Sequence, residues 1–312
     1  KPLVSYQPFK NHLEEYLEKL VKYKNCIKNL PSNNGWQKFI QIGKLMREFY
    51  IFYDSDEIEN MLSWSFGFHG YIDNILGINE NIKSKTIRPC KIGDKIKFKV
   101  KNIWHPCIKN PVKNNINLKK NIIITGPNAA GKTTVIKASI INLLLTQQIG
   151  YGFYDTCETS FFDHIHCYLN IPDTCSRDSL FQAEARRCKN ILQCIIDNPN
   201  KKHFCIFDEL YSGTNPYEAI SSAYSYLKFI AKNKNVKFLL TTHYLKLCDL
   251  LKTNKKILNQ SMETNIVDNN PTYLYRLVNG KSSLKGGVSV LKNLDYPSHI
   301  VEETIKVLNK ME

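Results

Sequence analysis

Hydrophobic residues at the start of the chain recur at helical spacing. Phe9, Leu13, Leu17, Leu20, Ile27 and Leu30 fall on one face, which predicts an amphipathic helix over 9–30. Pro31-Ser32-Asn33-Asn34-Gly35 breaks it. A second apolar-rich helix is predicted from Trp36 to Tyr53, and a third from about Asp54, where Asp, Ser and Glu suit a first turn. The aromatic residues of this stretch, Trp36, Phe39, Phe49, Phe52, Trp64 and Phe66, read as packing groups. Near Gly93 the pattern becomes alternating: Ile96, Phe98 and Val100 interleave with Lys95, Lys97, Lys99 and Lys101, a strand with one apolar and one basic, solvated face. The change of period places a domain boundary there, between a helical arm over 1–93 and a second domain over 94–312. Beyond it, Asn121–Thr125, His203–Phe207 and Val236–Thr241 are short continuous apolar runs separated by helical stretches. Strands buried on both faces of a parallel sheet have this appearance, so the second domain is expected to be α/β. The polar stretch from Glu263 to Pro271 is expected to be a mobile loop.

Two of these strands end in residues with chemical capacity. After Asn121–Thr125 comes Gly126-Pro127-Asn128-Ala129-Ala130-Gly131-Lys132-Thr133, which fits G-x-x-x-x-G-K-[ST] between a strand and a helix. In that context the glycines let backbone N–H groups turn toward phosphate, the helix N-terminus adds its positive dipole end, Lys132 reaches the β and γ phosphates, and Thr133 offers a hydroxyl to Mg²⁺. The run His203–Phe207 ends in Asp208 and Glu209. Two adjacent carboxylates closing an apolar strand are costly to bury without a partner, and a metal and a phosphate supply the reason: Asp208 to hold Mg²⁺ through water, Glu209 to polarise the attacking water. The run Val236–Thr242 ends in His243, placed to contact the γ phosphate.

The formal charge of +15 favours polyanionic partners, nucleic acid first among them. Ten cysteines include no C-x-x-C pair and sit in apolar runs, as reduced core thiols do. His164, His166, Cys167 and Cys175 are metal-ligating residue types close in sequence, but they lack the paired spacing of zinc ligands. With no apolar run near the roughly 20 residues that cross a bilayer and no secretory leader, a soluble intracellular protein is expected, with cytoplasm and nucleus not distinguished. The chain opens at Lys1 without an initiator Met, so an upstream region is expected.

Taken together, Thr125–Thr134, Asp208-Glu-Leu-Tyr-Ser-Gly-Thr214, Thr241-Thr-His-Tyr244, Thr272–Gly280, Ser282–Val290 and Leu294–Ile300 resemble the ATPase domain of the MutS family of DNA mismatch-repair proteins, within the ABC-type ATPase class. Ile103-Trp-His-Pro106 resembles the beginning of that domain, and the helical arm sits where the family has its core and lever helices. The resemblance implies a P-loop NTPase of ABC/MutS type with a mainly parallel sheet, using ATP and Mg²⁺, acting on DNA as a homo- or heterodimer with ATP sites shared between subunits. Phosphate would be cradled by residues 126–133 with Thr134, while Ser179 would reach the partner's ATP with the acidic Glu184 close behind it. Tyr275 would stack on adenine with Val112 as the opposite wall, and Lys10, Lys19, Lys22, Lys24 and Lys28 of the arm would meet DNA phosphates. The chain departs from the family pattern at Ala129-Ala130 and at Ser212, where an arginine is usual, and it contains no mismatch-reading segment with a wedging Phe. A transporter ATPase would carry L-S-G-G-Q between Gly150 and Asn200, and none occurs. A nucleotide-binding scaffold with negligible turnover is the other alternative.

Overall fold

The computed structural model describes residues 6–28, 37–169, 180–267, 270–282, 288, 291 and 294–310. The chain divides into two compact units, Lys1–Ser84 and Lys85–Glu312. The junction falls earlier than Gly93, because the strand Arg88–Ile92 pairs with residues of the second unit.

The first unit is helical: α1 (Gln7–Lys28), α2 (Gln37–Tyr53) and α3 (Asp56–Lys83). Helix α3 starts at Ser55, whose hydroxyl accepts from the Ile58 N–H, with Asp56, Glu57 and Glu59 at the positive end of the helix dipole. Rings join α1 to α3, with Tyr16 stacked on Trp64 at 4.3 Å and Trp64 parallel to Phe68 at 5.4 Å. Phe52 likewise meets Tyr23 at 5.2 Å. Phe49 and Phe66 do not follow the packing expectation: they are 65% and 73% exposed within this chain. Trp36 and the Phe39 side chain lie outside the described residues.

The second unit is mixed α/β with two sheets. The smaller contains β1 (Arg88–Ile92), β2 (Phe98–Ile103), β3 (Asn114–Asn117), β5 (Tyr151–Gly152) and β6 (Thr156–Thr159), in the order β3-β2-β6-β1-β5. As the alternation predicts, Phe98 and Val100 are buried while Lys97 and Lys99 face outward to Glu158. The larger contains β4 (Asn121–Thr125), β7 (His164–Tyr168), β8 (His203–Asp208), β9 (Val236–Thr242), β10 (Ile257–Val267) and β11 (Asn270–Asn279), in the order β11-β10-β4-β9-β8-β7. All neighbours are parallel except β10 and β11. Around the sheets lie α4 (Lys132–Ile149), α5 (Leu180–Asp197), α6 (Pro216–Ile230), α7 (Leu245–Leu251) and α8 (Ser298–Lys310).

Strand residues divide alternately between two cores. Ile123, Cys205, Phe207, Phe238 and Leu240 pack with residues of α5, α6 and α7, whereas Ile122, Ile124, Phe204, Ile206 and Leu239 pack with α4 and the smaller sheet. Cys205 and Cys188 are buried free thiols, as the apolar setting of the cysteines implies. The stretch from Glu263 to Pro271 is not simply a loop. Glu263–Val267 continues β10 and Asn270–Pro271 begins β11, and backbone pairing such as Ile266 with Pro271 makes a hairpin of a sequence too polar to announce one. Among the described residues, no helix is long and apolar enough to cross a membrane.

Candidate functional site

The parallel strands β4, β8 and β9 deliver their last residues to one edge of the sheet. Their register sets Thr125 opposite Thr242 and Asp208 opposite Thr241. The loop 126–131 then turns into α4, an 18-residue helix whose N-cap is Gly131 at φ 92°, with no side chain capping its first N–H groups. A left-handed conformation favours glycine, and a Cβ there would also meet the Tyr275 ring at 3.1 Å. The uncapped helix start leaves backbone donors for an anion.

Lys132, at the first position of α4, is 6% exposed. Its Nζ donates to the carbonyls of Gly126 and Pro127 at 3.0 and 3.2 Å and stands 3.8 Å from Glu209 Oε1. Burial lowers its affinity for a proton, and the carboxylates of Glu209 and Asp208 counter this. Thr133 Oγ1 donates to Asp208 Oδ2 at 2.9 Å, and the Thr241 hydroxyl donates to the other oxygen. Glu209 takes a left-handed φ of 53°, uncommon for a side-chain-bearing residue, while its N–H donates to Thr241 O at 3.0 Å. His243 Nδ1 lies 3.6 Å from Glu209 Oε2. The His243 ring, and secondly the Lys132 ammonium, hold the Glu209 carboxyl below the usual carboxylate range despite its burial. The structure therefore brings Lys132, Thr133, Asp208, Glu209 and His243 together.

Beside this cluster lies a cavity of about 290 Å³ whose lining includes Val112, Ala129, Gly131, Thr134, Trp104 and Tyr275. Tyr275 faces Gly131 because β11 carries a bulge: Met262 pairs with Leu277 but Thr264 pairs with Tyr273, and Tyr275 between them has φ 56°. Asn114 holds the bulge, its Nδ2 donating to Tyr275 O at 3.0 Å and its Oδ1 accepting from Leu277 N–H at 2.7 Å. Sequence reasoning missed Asn114, and no local pattern marks it, since its partners lie more than 160 residues away. It also missed Thr241, although the strand-end position was visible.

Ser179 lies outside the described residues. Glu184 is on α5 and 2% exposed; its carboxylate accepts from the Ser212 N–H and hydroxyl and from the Gly213 N–H, at 3.1, 2.7 and 3.0 Å. It thereby fixes the turn after Asp208-Glu209. Ser212, at the position where the family pattern has an arginine, supplies two of these three hydrogen bonds.

The family model described as MutS domain V matches residues 122–312, from the strand before the loop through the hairpin and the last helix. The chain belongs to the MutS family. It is 30% identical over 251 residues to "DNA mismatch repair protein MutS" of Persephonella marina, covering 78% of this chain and 28% of the relative. Proteins of the same description from Aquifex pyrophilus (31%, 67% of this chain and 25% of the relative) and Fusobacterium nucleatum (29%, 74% and 26%) are similar. The chain thus spans little more than a quarter of the length of these MutS proteins.

Proposed function

We propose that the chain binds ATP with Mg²⁺ and hydrolyses it on a P-loop NTPase fold of the ABC/MutS type, as the ATPase portion of a DNA mismatch-repair protein. The observation that carries this reading is the convergence, at the ends of three parallel strands, of a buried lysine, an uncapped helix start, a carboxylate held by two hydroxyls and a second carboxylate kept ionised. Residues 126–134 would surround the phosphates, and Thr133 and Asp208 would hold the metal, Asp208 through water. Bound Mg²⁺ supplies charge neutralisation on the phosphates. Glu209 orients a water and takes its proton, Lys132 steadies charge on the β and γ phosphates, and His243 orients Glu209 while touching the γ phosphate. A nucleotide-holding scaffold would share the cradle but release no phosphate. Mg²⁺-dependent phosphate release from the purified chain, abolished by chelation, tests the reading, and its absence favours the scaffold.

The cavity beside the loop is proposed as the adenine site, with Tyr275 on one side and Val112 on the other. Tyr275→Ala is expected to raise the ATP dissociation constant by about 0.5 to 1.5 kcal/mol, the range of aromatic stacking. Asn114→Ala should produce part of that loss without touching nucleotide, because the bulge that aims the ring loses its clamp. Fluorescent-ATP titration checks both, and unchanged constants would make Tyr275 a packing residue only.

The resemblance to the MutS family implies that Ser179 reaches toward a partner's ATP. Mixing Ser179→Arg with Lys132→Ala chains leaves one of two composite sites free of both defects, so ATPase activity is expected to exceed that of either variant alone. No recovery would count against a shared site. The charge of +15 and the relatives' description as DNA mismatch repair proteins support phosphate contacts with duplex DNA. In the arm, Lys10 and Lys19 already pair with Glu14 and Glu15, which weakens their share in any such contact. Anisotropy at two salt concentrations checks whether affinity falls with salt as phosphate binding requires.

A further inference from the structure

At the opposite ends of the same strands, away from the nucleotide residues, three imidazoles and a thiol gather. His164 and His166 stand on the edge strand β7, and His203 begins β8, in register with His164. The three rings are nearly parallel, with centroids 4.9 to 6.1 Å apart. Cys194, from the last turn of α5, brings Sγ to 3.6 Å from His164 Nδ1. His166 Nε2 lies 3.0 Å from His203 Nδ1. His203 Nε2 meets the Asn198 carbonyl at 2.9 Å, and since a carbonyl only accepts, that nitrogen carries the ring proton and Nδ1 is left with a lone pair. The donor atoms of His166, Cys194 and His203 lie within 4.8 Å of one another, the one cluster of its kind among the described residues.

We propose that His166, Cys194 and His203 form a binding site for a borderline transition-metal ion, Zn²⁺ being the ion of matching chemistry. Imidazole nitrogen and thiolate sulfur suit Zn²⁺, and the donor set contains no oxygen ligand to attract Mg²⁺ or Ca²⁺. A tetrahedral centre with bonds of about 2.0 Å to nitrogen and about 2.3 Å to sulfur needs about 3.3 Å between nitrogens and about 3.5 Å between nitrogen and sulfur. The His166–His203 separation is within a few tenths of that, and a small movement of the Cys194 side chain closes the set. On binding, the Cys194 thiol gives its proton to solvent, the ring proton of His166, which sits on Nε2 while that nitrogen donates to His203 Nδ1, moves through solvent to Nδ1 and frees the Nε2 lone pair for the metal, and the hydrogen bond between the two histidines is given up. Water takes the fourth position, with His164 beside the thiolate. The ion ties α5 to β7 and β8 at one end, while Glu184 on the same helix fixes the turn after Asp208-Glu209 at the other. Its role is structural and independent of nucleotide.

The test uses the whole chain, reduced and stripped with a chelator, then titrated with Co²⁺ as a spectroscopic probe. One Co²⁺ per chain is expected, with tetrahedral d–d bands and a thiolate-to-cobalt charge-transfer band, displaced by one equivalent of Zn²⁺ and accompanied by a rise in melting temperature. Cys194→Ser should abolish the charge-transfer band, His166→Gln should weaken binding at least about tenfold, and Cys107→Ser should change neither. Matching far-UV circular dichroism of the metal-free variants separates loss of the site from failure to fold. Absence of stoichiometric Co²⁺, or a charge-transfer band that survives Cys194→Ser, overturns the proposal.

Discussion

Glu209→Gln is expected to cut steady-state phosphate release by about 10²- to 10⁴-fold, the range for loss of a positioned general base, while ATP affinity stays within a few-fold of the parent. The amide keeps the shape of the side chain and its place at the end of β8, so the loop and Lys132 remain where they are. What it loses is the proton-accepting oxygen. The backbone of Glu209 sits in a left-handed conformation, stabilised by its N–H bond to Thr241 O and followed by a turn that Glu184 secures. Such a conformation is retained only when its surroundings hold it, and here it aims the carboxylate between Lys132 and His243. The His243 ring and the Lys132 ammonium hold the carboxyl below the usual carboxylate range, which favours the ionised form, the state in which it can accept a proton. Phosphate release by Glu209→Gln equal to the parent would remove Glu209 from the base role and leave the cluster as a binding site only.

Lys132→Ala is expected to act one step earlier, on binding. An ammonium donating to phosphate is worth about 1.5 to 3 kcal/mol, so the ATP dissociation constant should rise by about 10- to 150-fold. The ammonium also donates to the Gly126 and Pro127 carbonyls, which holds the loop in the curled form that phosphate needs. Alanine therefore removes both the contact and the pre-organisation. Because Lys132 is buried, part of any loss could come from packing; Lys132→Met keeps the stem and isolates the charge. Fluorescent-ATP titration of the two variants, with thermal melts alongside, decides the matter. Binding by Lys132→Met as tight as the parent would show that the loop does not receive the β and γ phosphates.

The amino-acid sequence by itself determined the parts whose pattern is local. Residues 126–133 read as a phosphate cradle because a glycine turn, a lysine and a threonine lie between an apolar run and a helix, and strands, loop and helix fell where that reading requires. Asp208, Glu209 and His243 stood out because an ionisable residue closing a buried strand needs an external reason to be there. Burial on both faces marked β4, β8 and β9 as central strands, for the same reason that left the polar half of the β10–β11 hairpin unread: its stability comes from backbone pairing at the sheet edge, which no side-chain pattern records.

Only the tertiary structure decided which strands are neighbours and which distant residues meet. Nothing in the spacing of three apolar runs says that β9 lies between β4 and β8, yet that order puts Thr241 beside Asp208 and His243 beside Glu209. Asn114 and Tyr275 are joined through a bulge, Glu184 and Gly213 through a turn, and His166, Cys194 and His203 through three separate elements. The physical reason is common to all of them. A side chain's role in these contacts depends on partners brought close by the packing of whole strands and helices, and that packing is set by the sum of many burial and pairing energies along the chain, not by the identity of its neighbours in sequence.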